Sequence, residues 1–161
     1  MKMKHTILSG DIFEVKLKDG KKYFQFVYKD EEYMAGHLIR VFNYTVEKDE
    51  NPKPNEVIKQ PILFYAYTRI IEGIKEGFWN KVGNISIEKD FDSPTFRQTN
   101  DTFSTTPKSK NWFIWKNKFS NKKFIGELTD EYKKLPFSSI FPPQAIVKWM
   151  ETSNHEFLIP E

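Results

Sequence analysis

Gly10-Asp11-Ile12-Phe13-Glu14-Val15-Lys16-Leu17-Lys18-Asp19-Gly20-Lys21-Lys22-Tyr23-Phe24-Gln25-Phe26-Val27-Tyr28 is the stretch whose reading decides the fold. Phe13, Val15 and Leu17 alternate with Glu14 and Lys16, the period-two pattern of a half-buried strand. Asp19-Gly20 follows. An Asp-Gly pair between alternating runs is a strong hairpin signal, because glycine accepts positive φ and aspartate tolerates it. Tyr23 to Tyr28 then returns as the partner strand, rich in the aromatic residues that strands favour. The chain therefore opens as a β-hairpin, and Asp30-Glu31-Glu32 reads as a solvated turn after it.

Working outward, residues 37–44 (His-Leu-Ile-Arg-Val-Phe-Asn-Tyr) form a third expected strand. Residues 47–55 are polar and carry Pro52 and Pro54, so they predict a loop, since each proline removes a ladder donor. Residues 54–59 can make one helical turn. Ile62 to Tyr67 has no polar gap and reads as a strand buried on both faces. A short helix is expected over 69–75, ended by Gly77, and a strand over 82–87. Residues 90–109 are rich in Asp, Ser, Thr, Asn and Pro and predict a long irregular excursion. Strands follow at 111–116, the most aromatic run, and at 123–126. Pro142-Pro143 suits a helix start, where a missing N–H costs nothing. Ile146, Trp149 and Met150 then fall at i, i+3 and i+4, an amphipathic stripe. The expected architecture is α+β and mostly β: a strongly bent antiparallel sheet or small barrel with a C-terminal helix packed on it. No repeat or low-complexity segment interrupts the chain, and a single domain over 1–161 is expected.

Composition narrows the function. At 161 residues, 39% of them hydrophobic, the chain can bury a core without a disulfide or metal. It has no cysteine, which excludes disulfides, thiolate metal sites and cysteine nucleophiles. The first residues carry two lysines but too few apolar residues for a signal peptide, and no window approaches the ~18 apolar residues of a membrane span. A cytoplasmic protein with no membrane association is the expectation. The formal charge of +3 is mildly basic, short of the excess expected of a nucleic-acid-coating protein. The charge is uneven. Glu47, Asp49, Glu50 and Glu56 sit together. Eight lysines (108, 110, 116, 118, 122, 123, 133 and 134) fall in one later stretch, opposed by Asp101, Glu127, Asp130 and Glu131.

No pattern of reactive residues emerges. His5, His37 and His155 are scattered, whereas a metal or catalytic site needs several close donors. There is no His-Glu-x-x-His, no glycine-rich phosphate loop and no nucleophile elbow. Glu88, Asp90 and Asp92 would share one face of an extended chain, a spacing that could hold a hard cation. Without EF-hand spacing and with Lys89 between them, a solvated edge or partner-facing patch is the better reading. Asp11 and Glu14 fall on opposite faces of a regular strand and make no acid–base pair. No catalytic residue, metal or cofactor is expected, and so no enzyme. Trp112, Phe113, Trp115 and Phe119, interleaved with Lys110, Lys116 and Lys118, admit three readings. They are core packing, a protein interface whose hot spots favour tryptophan, or a nucleic-acid surface where aromatics stack bases and lysines hold phosphates. Alternate residues of a strand must point inward, so about half of them are core. Trp79 reads the same way, with core packing favoured further.

The order of these motifs resembles the immunity protein 26 family. The resemblance rests on Gly10-Asp11-Ile12-Phe13-Glu14-Val15, then Leu17 with Asp19-Gly20 and an aromatic strand. It continues with Val41-Phe42, Pro61-Ile62-Leu63-Phe64 and Gly77-Phe78-Trp79-Asn80-Lys81-Val82-Gly83, and covers about residues 8 to 96. It implies a mostly β immunity protein of a bacterial polymorphic toxin system, which neutralises a cognate toxin in the producer's cytoplasm by binding it. It brings no catalytic residues. The candidate partner-binding residues are Glu47, Asp49, Glu50, Glu56, Trp112, Trp115 and Lys116. Immunity proteins against basic nucleases are often acidic, because opposite charge speeds encounter, and this chain is net basic. Either the acidic loop at 47–56 faces the toxin, or the toxin is not a strongly basic nuclease. The alternative from another class is a barrel-like nucleic-acid-binding module using the aromatic and basic surface of 112–123.

Overall fold

The computed structural model describes residues 5–32, 35–101 and 108–153. Among them nine strands form two sheets. The strands are β1 (Asp11–Leu17), β2 (Gly20–Lys29), β3 (His37–Phe42), β4 (Ile62–Thr68), β5 (Trp79–Asn84), β6 (Phe96–Gln98), β7 (Trp112–Lys116), β8 (Lys118–Gly126) and β9 (Ile140–Phe141). Three helices accompany them: α1 (Pro54–Val57), α2 (Ile70–Lys75) and α3 (Pro143–Thr152). The larger sheet runs β5-β1-β2-β3-β4-β9 and the smaller β6-β7-β8. All pairings are antiparallel except β4 with β9, which is parallel. The protein is thus the mostly β, bent-sheet fold with a C-terminal helix that the sequence predicts, but the sheet does not close into a barrel. Bulges between Ile12 and Phe13, Phe26 and Tyr28, and Val41 and Phe42 supply its bend.

The opening hairpin shows why its two glycines stand where they do. Gly20 begins β2 at φ +133°, and a Cβ there would collide with the Val46 carbonyl. Gly10 sits at φ +94°, with the Ile85 carbonyl 2.5 Å from where a Cβ would stand. Both positions combine left-handed backbone with close approach of another chain segment, which only glycine tolerates. Asp11 next to it is buried. Its Oδ2 accepts from the Leu8 N–H at 2.8 Å, and its Oδ1 accepts from Asn84 Nδ2 at 2.8 Å and pairs with Lys81 Nζ at 2.9 Å. The Gly-Asp motif therefore ties β1 to β5.

Both faces of the large sheet are covered. On one, Phe13, Val15, Phe24, Phe26, Ile39, Val41, Phe64 and Ala66 pack against Ile70 of α2 and Ile146, Trp149 and Met150 of α3. Trp149 stacks on Phe64 at 3.7 Å between ring centroids and meets Phe141 edge-on at 5.6 Å. The predicted helical stripe is the buried face of α3. Lys22 Nζ donates to the Met150 carbonyl in the last turn at 2.9 Å, a cation at the negative end of the helix. The second face carries two clusters. Ile12, Tyr23 and Phe42 lie under Val46 and Val57. Val27, Leu38 and Tyr67 lie under Phe96 and Trp115 of the smaller sheet.

Several elements differ from expectation. β5 starts at Trp79 rather than at Val82, because the buried Trp79 indole donates to the Ile70 carbonyl at 2.9 Å and holds the strand's start. Ile85 and Ile87 leave the strand and cross the second face. The excursion over 90–109 contains β6. β4 is buried on both faces only toward its end; Ile62 is exposed. β8 begins five residues before the expected strand, after a turn through Asn117 at φ +65°. No described helix is long and apolar enough to cross a membrane.

Candidate functional site

Residues 46–57 form an acidic loop held at both ends. Val46 exchanges two backbone hydrogen bonds with Lys21 of β2, at 2.9 and 3.0 Å, and its side chain is buried. Val57 of α1 is buried in the same cluster. Between them, Glu50 N–H donates to the Glu47 carbonyl at 3.1 Å, and Glu50 Oε1 accepts from the Glu47 N–H at 3.2 Å. The buried Lys21 ammonium reaches Asn51 Oδ1 at 3.0 Å and Glu14 Oε2 at 3.3 Å. Glu47, Asp49, Glu50 and Glu56 all stand exposed, against Lys48 and Lys53 in the same loop. The half-buried Tyr44 and Ile58 pack on the cluster beneath. Burial, then the Glu14 carboxylate to which it donates at 3.4 Å, then Tyr44 and Glu50, push the Tyr23 phenol far above its ordinary pKa.

A polar seam separates the two clusters of the second face. Gln25 Nε2 donates to the carbonyls of Gly10 at 3.1 Å and Ile85 at 2.6 Å. Its Oε1 accepts from Arg40 Nε at 2.9 Å and Nη2 at 2.7 Å. The same guanidinium forks onto Glu88, Nη1 to Oε1 at 2.7 Å and Nη2 to Oε2 at 2.9 Å. The hydrogen bonds from Arg40 hold the Glu88 carboxyl down to about 2. This seam clamps the segment after β5 onto β2 and β3. Sequence reading missed it. The available signal was that Gln25 and Arg40 interrupt inward-facing positions of strands that are otherwise apolar there.

Of the three readings of the tryptophans, the smaller sheet shows the core-packing one: both are buried. Trp112 is 0% exposed and Trp115 3%. Trp115 stacks on Phe96 at 5.1 Å, and the buried Arg97 guanidinium lies 4.9 Å from the centre of the Trp112 ring. Both indoles are buried, each by different cover: Trp115 packs with Tyr67 and Phe96, and Trp112 lies against Arg97 and Phe137. Lys116 is exposed and pairs with Asp92 at 2.8 Å. The aromatic that does face outward is Phe124, 58% exposed. The acidic loop lies over one cluster of the second face and the smaller sheet over the other, so 47–56 and Lys116 are not gathered into one site.

His37, Glu88 and Asp92 have structural partners. His37 Nδ1 accepts from the Ile70 N–H at 3.3 Å at the start of α2, and burial followed by the Lys29 charge lowers its pKa. His155 lies outside the described residues. Glu88 and Asp92 are taken by Arg40 and Lys116. Among the described residues no group of three or more His, Cys, Asp or Glu could hold a metal ion.

These features define a two-sheet, mostly β protein whose acidic loop and lysine-bearing β7–β8 hairpin are separate elements. Residues 9–109 match the family described as immunity protein 26. The chain belongs to that family, as its opening motifs suggest. No curated protein and no solved structure matches it.

Proposed function

We propose that this chain is a non-catalytic inhibitor that binds a cognate bacterial toxin in the cytoplasm of the producing cell and occludes its active site or substrate path, with residues 1–161 acting as one unit. The family supports an immunity role. The observation that carries the binding reading is the acidic loop, anchored at Val46 and Val57 and presenting Glu47, Asp49, Glu50 and Glu56 to solvent. A loop already held in place loses little conformational entropy on binding. Its carboxylates attract a basic toxin surface and raise the encounter rate, while Tyr44 and Ile58 beside it supply apolar contact. Lys116 is a second, separate rim contact in this reading. Trp112 and Trp115 contribute by stiffening β7 from within.

The test is the association rate of the purified pair. Glu47→Lys, Asp49→Lys and Glu50→Lys together should slow association about tenfold at low salt, with the gap narrowing as salt rises and dissociation changing little. An unchanged association rate removes the acidic loop from the interface.

A further inference from the structure

We infer that the outer edge of β8 docks an acidic extended strand of a partner protein. β8 is nine residues long and ends the order β6-β7-β8; among the described residues it pairs only with β7. The other sheet edges are shorter or obstructed. β6 is bridged by the segment around Phe137, through Arg97 N–H to the Pro136 carbonyl and Ser138 N–H to the Arg97 carbonyl, each at 2.9 Å. β9 has two residues. β5 is shorter than β8, at six residues, and the Pro54 ring packs on its face at Gly83. β8, though its pairing with β7 shifts register opposite Ile114–Lys116, is the longest edge; among the described residues its outer side has no strand partner, and it contains no proline and no acidic residue.

The hairpin is rooted as well as open. Phe119 meets the buried Trp115 edge-on at 5.9 Å, and Phe124 meets Phe113 at 5.3 Å. An edge held rigid in this way is a ready template for another strand, whose backbone supplies affinity and whose side chains supply specificity. The exposed side chains of Lys118, Lys122, Lys123 and Phe124 select the occupant. A second copy is disfavoured, because antiparallel β8 pairs would bring these lysines near one another. Carboxylates alternating along a partner strand meet Lys118 and Lys122, which are an even number of residues apart, favourably. A nucleic-acid strand would need a stacking platform, and with Trp112 and Trp115 buried only Phe124 stands well out on this strand. This inference is independent of the acidic loop, so either surface can fail without the other.

The experiment is fluorescence anisotropy of the full chain with a labelled peptide as long as β8, alternating Glu and Val. Comparison probes are the alternating Lys and Val peptide, the Glu peptide N-methylated at alternate backbone nitrogens, and a single-stranded oligonucleotide. Saturable binding of the Glu peptide is expected, about tenfold or more tighter than either comparison peptide. The K118E/K122E/K123E variant, shown folded by circular dichroism, should reverse the preference toward the Lys peptide. Equal binding of the N-methylated peptide would reduce the surface to a patch of charge and overturn strand pairing. No binding of the Glu peptide, no reversal in the folded variant, or tighter binding of the oligonucleotide also overturns it.

Discussion

The Gln25 amide meets three groups, the carbonyls of Gly10 and Ile85 and the Arg40 guanidinium. Gln25→Leu nearly keeps the volume and strips all three of a partner. The Ile85 carbonyl loses its amide donor, while the Gly10 carbonyl keeps the Ile85 N–H and Arg40 keeps Glu88, so the variant should be destabilised by about 1–3 kcal/mol. That is read as a lower urea midpoint at unchanged slope. Two acid transitions belong to this scale. The lowered pKa of His37 means that the unfolded chain takes up the proton first, so stability is complete above 6.5 and falls as pH drops below it. Glu88, held at about 2 against 4.5, contributes fully above 4.5, and its contribution is lost as pH falls toward 2. Urea midpoints measured from neutral to acid pH should show both declines. His37→Gln should flatten the upper one and Glu88→Gln the lower, and a decline surviving its own substitution contradicts the assignment. None of these partnerships was legible in the sequence. Gln25 and Arg40 stand on neighbouring strands, but Glu88 reaches them from 48 residues away, a distance no local pattern spans.

Elements whose signals are local were legible. The β1–β2 hairpin rests on alternation and a glycine that its turn requires, and α3 rests on its opening prolines and a stripe at helical spacing. Elements defined by their partners were not. β5 starts where the Trp79 indole finds the Ile70 carbonyl. Most of β8 faces solvent and so lacks alternation, and β9 exists only as a pairing with β4. The last elements complete the core, although they lie beyond the matched residues 9–109. Without α3 and β9, Phe13, Phe24 and Phe64 lose the cover given by Ile146, Trp149, Met150 and Phe141. A fragment of residues 1–109 should therefore show no cooperative thermal transition, and Trp149→Ala in the full chain should cost about 3–5 kcal/mol. A cooperative melt of the fragment would show that the matched region folds without its tail.

Over the whole molecule, charge is segregated by structure as well as by sequence. Glu47, Asp49, Glu50 and Glu56 stand on a loop over one cluster of the second face, and Lys116, Lys118, Lys122 and Lys123 stand on the hairpin over the other. The acidic loop was legible from composition and two prolines. For the tryptophans the sequence left core packing and an interface both open: Trp112 and Trp115 are three apart, so alternation turns them to opposite faces, and the burial of both depends on Phe137 over one and Phe96 and Tyr67 over the other. With its charges segregated in this way, a net basic chain can carry the acidic surface proposed for binding, since the two charges need not face the same partner. The central claim, that this chain neutralises a toxin by binding it, is tested most directly in a growing cell. The C-terminal domain encoded immediately upstream of this chain is expressed in a test bacterium, alone and together with it. The account predicts arrest by the domain alone, growth restored by this chain, and co-elution of the purified pair as one complex. Continued arrest in the presence of folded, well-expressed chain would contradict it.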